Sequence, residues 1–342
     1  MDANITKKRL GHMLSYDWIS IIIGIVAAIL VWSLVFTMTA TRITVAQQFT
    51  VFNYLGNVSF SNTNFYEVYN KAYVDGKFSP EVLELEEFDL PMQKEVASTL
   101  LEGHLGTNNG DLIFAAKIPN ESSTAYKDPV TEEEKHYTYL EEFLRGYRHY
   151  LFNMNPEEEN GYFKKMEKYL NVYFDGGYEN GTLNKAKAEA DFRARIKANK
   201  DKRYKTEEQI LGGLEKDYAR LEQYRAALVE MYGYLEKGYV RPEITQIRDM
   251  DDPSKIVAEG YYTLNLCPAT DANGNENPMK KLSKTISYST TYVDEQGEEK
   301  PTTSVVDMHV GFFNMNEVEP GYEYEGLLFV NELIRTALAA NA

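Results

Sequence analysis

Apolar and polar positions follow different periods along the chain, and the first stretch has no polar period at all. From Trp18 to Thr41 no charged side chain interrupts a run centred on Ile19-Ser20-Ile21-Ile22-Ile23-Gly24-Ile25-Val26-Ala27-Ala28-Ile29-Leu30-Val31. At about 1.5 Å per residue these positions make roughly 36 Å of helix, enough to cross a hydrocarbon core of about 30 Å with some tilt. No second run of this kind occurs. The pattern predicts a transmembrane signal-anchor helix over residues 18–41 and one body beyond it. Lys7, Lys8 and Arg9 precede the span, and Arg42 is the only basic residue immediately after it. The positive-inside bias therefore places residues 1–17 in the cytoplasm and residues 43–342 outside, on a single-pass cell-membrane protein. Trp18 suits an interfacial anchor, and Trp32 is expected to face lipid. A cleaved signal peptide has a shorter apolar core, of about 7–15 residues, before a small-x-small cut. Here the cut after Ala40 would put Met38 at the third position back, and the better match Thr44-Val45-Ala46 lies beyond Arg42. An uncleaved anchor is favoured.

Residues 42–131 alternate strand and helix signals. Phe49–Tyr54 is β-rich and runs into the turn Leu55-Gly56-Asn57, and a helical stretch then carries Phe65, Val68 and Tyr69 on one face. Val82–Phe88 is the second strand candidate. Pro91 opens a helix with Val96, Leu100 and Leu101 in its stripe, and Asp111–Ala116 is a short apolar third strand. Such a β-α-β-α-β lobe builds a parallel sheet through right-handed crossovers.

Residues 132–239 change to a helical period. Tyr139, Leu140, Phe143, Leu144 and Tyr147 form one face, and Tyr162, Met166, Tyr169 and Leu170 form the next. The longest segment, Thr206 to Gly238, carries Leu214, Tyr218, Leu221, Leu228, Met231 and Leu235 at three- and four-residue spacings. That seam of about three heptads is short for a coiled coil, so the pattern favours a hairpin packed on residues 156–175 over a partner surface. Residues 183–205 read as a separate, charged, solvated helix. In residues 240–342 strand signals return at Gly260–Leu266. Thr285–Val293 and Thr303–Phe313 follow as a long hairpin, and a helix from about Tyr324 carries Leu327, Leu328, Val330, Leu333 and Ile334.

Charge narrows the partners. The chain carries a net −16, and since residues 1–42 contribute +2, residues 43–342 carry −18. Such a body repels nucleic acid and anionic headgroups. A single cysteine, Cys267, allows no internal disulfide in a compartment that permits them, which fits a bacterial exterior. It lies too deep in the body for a lipoprotein anchor and reads as a small apolar filler. The 26 tyrosines could stack on sugars, but their helical spacing favours a half-buried core role. Asn57-Val58-Ser59, Asn120-Glu121-Ser122 and Asn180-Gly181-Thr182 match the glycosylation triplet and read as turns.

Catalytic signatures are missing: no phosphate-cradling glycine loop, no nucleophile elbow, no histidine pair at metal spacing. His12, His104, His136, His149 and His309 are scattered singly. Asp271–Asn277 alternates oxygen side chains, but the Gly and Glu of a calcium loop are replaced by Glu276 and Leu282. Asp249, Asp251 and Asp252 before Pro253 read as a turn and helix cap. Neither a cofactor nor a metal is expected, and the chain does not read as an enzyme.

The strand Phe49–Tyr54, the stretch Leu100-Leu101-Glu102-Gly103-His104 leading through Gly110-Asp111 into Leu112-Ile113-Phe114, and the closing Gly326–Ile334 share an order. In that order the chain resembles the extracellular solute-binding proteins of sugar-type ABC importers, and also a group of single-span bacterial proteins found near such transporters. The resemblance covers most of residues 44–342 without a diagnostic motif. It departs from the family in its signal anchor, its helical middle and its lack of cleft tryptophans. It implies a periplasmic-binding-protein-like α/β body with a large helical middle, and binding of a small molecule or sugar. In such sheets ligands lie outside the carboxyl ends of the strands, where the expected contacts are Asn57, Asn64 and Asp111, with Tyr261 and Tyr262 as aromatic partners. About seven residues join Arg42 to Phe49, a reach of roughly 25 Å, which suits docking to an integral membrane partner such as a permease. The alternative is a ligand-free interaction subunit of an envelope complex.

Overall fold

The structure is a computed structural model that describes residue 11 and residues 18–39, 47–55, 82–90, 96–199, 201–281, 291–293, 299–301, 308–315 and 322–339. The chain divides into two compact units, Met1–Arg42 and Ile43–Ala342. In the first, α1 (Trp18–Thr39) is long and apolar enough to cross a membrane, and its described side chains are all exposed. Twenty-two residues at about 1.5 Å each, none of them charged, give it that reach.

The second unit is a mixed α/β structure. Its strands are β1 (Gln48–Tyr54), β2 (Glu84–Asp89), β3 (Leu112–Ala116), β4 (Ala125–Lys127), β5 (Glu134–His136), β6 (Phe174–Asp175), β7 (Thr182–Leu183), β8 (Arg241–Arg248), β9 (Ile256–Asn265), β10 (Thr291–Val293), β11 (Glu299–Pro301) and β12 (Met308–Phe312). Its helices are α2 (Ala97–Gly106), α3 (Tyr139–Tyr147), α4 (Tyr162–Tyr173), α5 (Lys185–Asn199), α6 (Glu207–Glu236) and α7 (Glu325–Ala339), which with α1 makes seven among the described residues. Six strands form the main sheet in the order β2-β1-β3-β12-β9-β8. β2, β1 and β3 are parallel, as the alternating signals of residues 42–131 predict, while β12, β9 and β8 each run antiparallel to the strand before.

Helices cover both faces. Leu101 and Leu105 of α2 and Leu140, Phe143 and Leu144 of α3 pack with Phe52, Ile113 and Ala115. Phe49, Val51, Phe114, Val310 and Leu264 face the larger core built with α4, α6 and α7. Thr138 and Thr206 start α3 and α6 with capping boxes, each side chain accepting from the third residue on while Glu141 and Gln209 reach back. The seam of α6 is consumed inside the molecule: Leu214, Tyr218, Leu221, Leu228 and Met231 are buried, and only Leu211 and Val229 are large apolar residues left exposed on it. α5 is less solvated than its charge suggests, because Ala188 and Phe192 dock in the same core. Tyr162, Tyr169, Tyr224 and Tyr324 pack ring against ring between α4, α6 and α7, so much of the tyrosine excess goes into the core.

Of the expected hairpin of Thr285–Val293 with Thr303–Phe313, the described residues show the end nearest the turn, where β10 pairs with β11, while Met308–Phe312 enters the main sheet as β12 between β3 and β9. All five β12 residues are buried, as a central strand covered on both faces must be. Residues 282–290 and 302–307 lie outside the described residues.

Candidate functional site

A polar row crosses one face of the sheet near the carboxyl ends of β1 and β3. Register aligns Tyr54 with Ala115, Ala115 with His309, His309 with Asn265, and Asn265 with Arg241. Directly paired residues share a face, so these five side chains project together. The small Ala115 separates two polar groups.

On one side, Glu142 of α3 accepts hydrogen bonds at Oε2 from the Tyr54 hydroxyl (3.2 Å) and Asn120 Nδ2 (2.6 Å). Burial first, and Glu142 second, push the Tyr54 phenol well above its ordinary value. Asn120 also accepts from the Ser122 N–H, the local turn that the sequence predicts at that triplet.

On the other side His309, 0% exposed, places Nδ1 3.0 Å from Thr263 Oγ1. Its Nε2 has no hydrogen-bond partner and points toward Glu243 Oε2 at 3.9 Å. Glu243 accepts from Asn265 Nδ2 (2.8 Å) and from Lys117 Nζ (3.3 Å), the latter just beyond β3. Burial holds the imidazole well below its usual value, with Lys117 adding to that effect and Glu243 opposing it. Burial works to raise the Glu243 carboxyl, but Asn265, His309 and Lys117 outweigh it and keep it low. At neutral pH the imidazole is therefore neutral and Glu243 a carboxylate, gathered with the side chains of Glu142, Lys117, Asn120 and Asn265. That set suits a polar ligand with both donors and acceptors. Thr263, His309 and Glu243 also follow a hydroxyl–imidazole–carboxylate order, but the Thr263 hydroxyl sits on a residue 1% exposed, shut off from any substrate in this conformation.

Of the residues expected from sequence, the structure describes Asp111, Tyr261 and Tyr262. Asn57 and Asn64 fall outside the described residues. Asp111 precedes β3 at its amino end, opposite to the expected position: Oδ2 accepts from the Thr50 N–H (2.7 Å), and its carbonyl accepts from the Phe313 N–H (3.0 Å). It ties three strands together. Tyr261 and Tyr262 form a bulge on β9, where the register passes from Glu243–Thr263 to Thr245–Gly260. The Tyr261 carbonyl accepts from the Met154 N–H (2.7 Å), and Tyr262 packs against the α2–α3 core. His309, Glu243 and Thr263 escape the sequence reading because no local spacing links them.

Asp271 Oδ1 accepts from the N–H groups of Asn273 and Asn275, and Asp249 Oδ1 from those of Asp251 and Asp252. Both carboxylates are occupied in making turns. Among the described residues no three His, Cys, Asp or Glu side chains stand close enough to hold a metal ion. Cys267 is buried just past β9, its Sγ 3.7 Å from the Met279 carbonyl. Comparison with family models, with curated proteins and with solved structures finds no match to this chain.

Proposed function

We propose that the chain is a membrane-anchored extracytoplasmic binding or accessory protein with a solute-binding-like body, acting beside a transporter such as a permease. The observation that carries this reading is the position of the polar row. β1 lies between β2 and β3 in a parallel 2-1-3 arrangement, so the chain crosses from β1 to β2 on one side and then from β2 back past β1 to β3 on the other. Open α/β sheets bind ligands beyond the carboxyl ends at such a point, and Tyr54, Glu142, Asn120, Lys117 and Glu243 gather there. The apolar α1 supports the anchor, and a body of −18 supports partners other than nucleic acid. Asn57, two residues past Leu55, and Asn64 are proposed as further ligand contacts.

The test is a thermal-shift screen of the full chain in nanodiscs against sugars, oligosaccharides, peptides and divalent metals. A saturable rise in Tm with one class, lost in Glu142→Gln or Lys117→Met, supports a binding module. A flat response favours the second reading, a ligand-free interaction subunit. That reading has its own observation: the β8–β9 hairpin leaves Ile244, Met250, Ile256 and Val257 exposed.

A further inference from the structure

The main sheet has a narrow waist. β3 and β12 align over five residue pairs and β8 and β9 over seven, but β12 and β9 align over two, His309 with Asn265 and Val310 with Leu264, with one further bond from the Leu266 N–H just past β9 to the Met308 carbonyl (2.9 Å). Beyond that point residues 152–154 wedge between the strands: the Phe152 N–H bonds to the Phe312 carbonyl (2.9 Å), and the Met154 N–H to the Tyr261 carbonyl (2.7 Å). On one face of this waist, side chains bridge the two halves. His309 of β12 reaches Thr263 of β9, and Lys117 beyond β3 reaches across to Glu243 of β8.

We infer that His309, Thr263, Glu243 and Lys117 form a proton-sensitive clasp across the β12–β9 seam, so that protonation of His309 loosens the β8–β9 hairpin while the helical core stays folded. A protonated ring at this position is a buried cation without water. Among the described residues its one anionic neighbour, Glu243 from β8, is already held by Lys117 and Asn265 and sits 3.9 Å from Nε2, beyond hydrogen-bond reach. Capturing Glu243 frees Lys117, and failing to capture it leaves the charge uncompensated; either way one strap of the clasp is lost. From β9 the ring meets the neutral Thr263, and from β3 the neutral Ala115. On α3, Glu142 is turned to Tyr54 and Asn120, and Arg145 stacks on Tyr137, so the charges acting on His309 are Glu243 and Lys117.

Amide hydrogen exchange of the full chain in nanodiscs, corrected for the intrinsic effect of pH, tests this between pH 7.5 and 4. Peptides over β9 and β12 are expected to lose protection by about tenfold or more relative to α6 as pH falls below 6.5, since each unit of pKa displacement is worth tenfold. Lys117→Met, at a half-exposed position, removes a repelling cation, so the folded imidazole takes a proton more readily and the loss of protection at low pH shrinks. Glu243→Gln removes the attracting anion and deepens that loss. If β9 and β12 follow α6 at every pH, or the two variants fail to change the size of the loss in opposite directions, the clasp is overturned.

Discussion

Tyr224 of α6 donates its hydroxyl hydrogen to Glu325 Oε1 at the start of α7, across 2.6 Å, in a place where both side chains are buried. A hydrogen bond to a carboxylate inside the core is stronger than one at the surface, and losing the donor leaves the acceptor without a water to replace it. Tyr224→Phe keeps the ring that packs on Tyr324 and removes only the hydroxyl. The expected loss is about 1–3 kcal/mol of unfolding free energy, read from urea denaturation of the full chain in detergent. Glu325→Gln retains an acceptor and should lose less.

Arg220 makes a sharper case. It is 1% exposed, donates to Asp217 Oδ1 at 2.7 Å and to the Tyr169 hydroxyl at 3.2 Å, and lies over the Tyr224 ring. Burial works to raise the Asp217 carboxyl, and Arg220 and Arg195 more than offset it. Arg220→Met leaves a buried carboxylate with only the rim residue Arg195, at 22% exposure, to balance it. The cost expected is about 3–5 kcal/mol, against about 1 kcal/mol for Arg195→Ala, in which Arg220 still holds Asp217. Equal losses in the two variants would mean that burial does not set the ranking.

Local pattern made α1, the three parallel strands and the seam of α6 legible, because each is a run whose period or composition reports its own environment. Tertiary partners were not legible in the same way. Met308–Phe312 reads as a strand from its residues, but nothing near it says that it pairs with β3 and β9 rather than with Thr285–Val293. The polar row inherits that difficulty: His309 meets Thr263 and Glu243 only because β12 is seated beside β9 and β9 beside β8. Asp111 was legible as a polar residue at a strand end, yet its end of the strand is the one that ties β1, β3 and β12 together.

The connection from α6 to β8 turns on Gly238. Its φ of +69° lies in the left-handed region, one residue past the helix cap Lys237. A Cβ there would stand 2.5 Å from the Ala272 backbone nitrogen, which donates to the Lys237 carbonyl. Gly238→Ala therefore combines left-handed strain with a clash against backbone that cannot turn aside. A loss of about 2 kcal/mol or more is expected in the same denaturation assay. Gly274→Ala, with φ +80° but open space around it, should cost only the strain, about 1 kcal/mol.

The pH dependence of stability should reveal two groups, one half-buried and one buried, that work against each other. Burial raises the Glu87 carboxyl on β2 to about 7, above the 4.5 of an ordinary glutamate. Its neutral form fits the fold, so its contribution is complete below about pH 4.5 and is lost as pH rises through about 7. His309 has the opposite sign. Burial pushes its imidazole down to about 4, so the folded state excludes a proton that the unfolded chain takes up below 6.5. Its contribution is complete above that value and is lost as pH falls toward 4. Between pH 4.5 and 6.5 the two slopes oppose, and the wild-type urea midpoint should vary little. Glu87→Gln removes the falling slope and leaves a midpoint that climbs with pH, by an amount worth about 2 kcal/mol across the interval. His309→Gln leaves the reverse, a midpoint that declines. A Glu87→Gln curve parallel to wild type would show that this carboxyl ionises at the usual pH, with solvent reaching it in the fold.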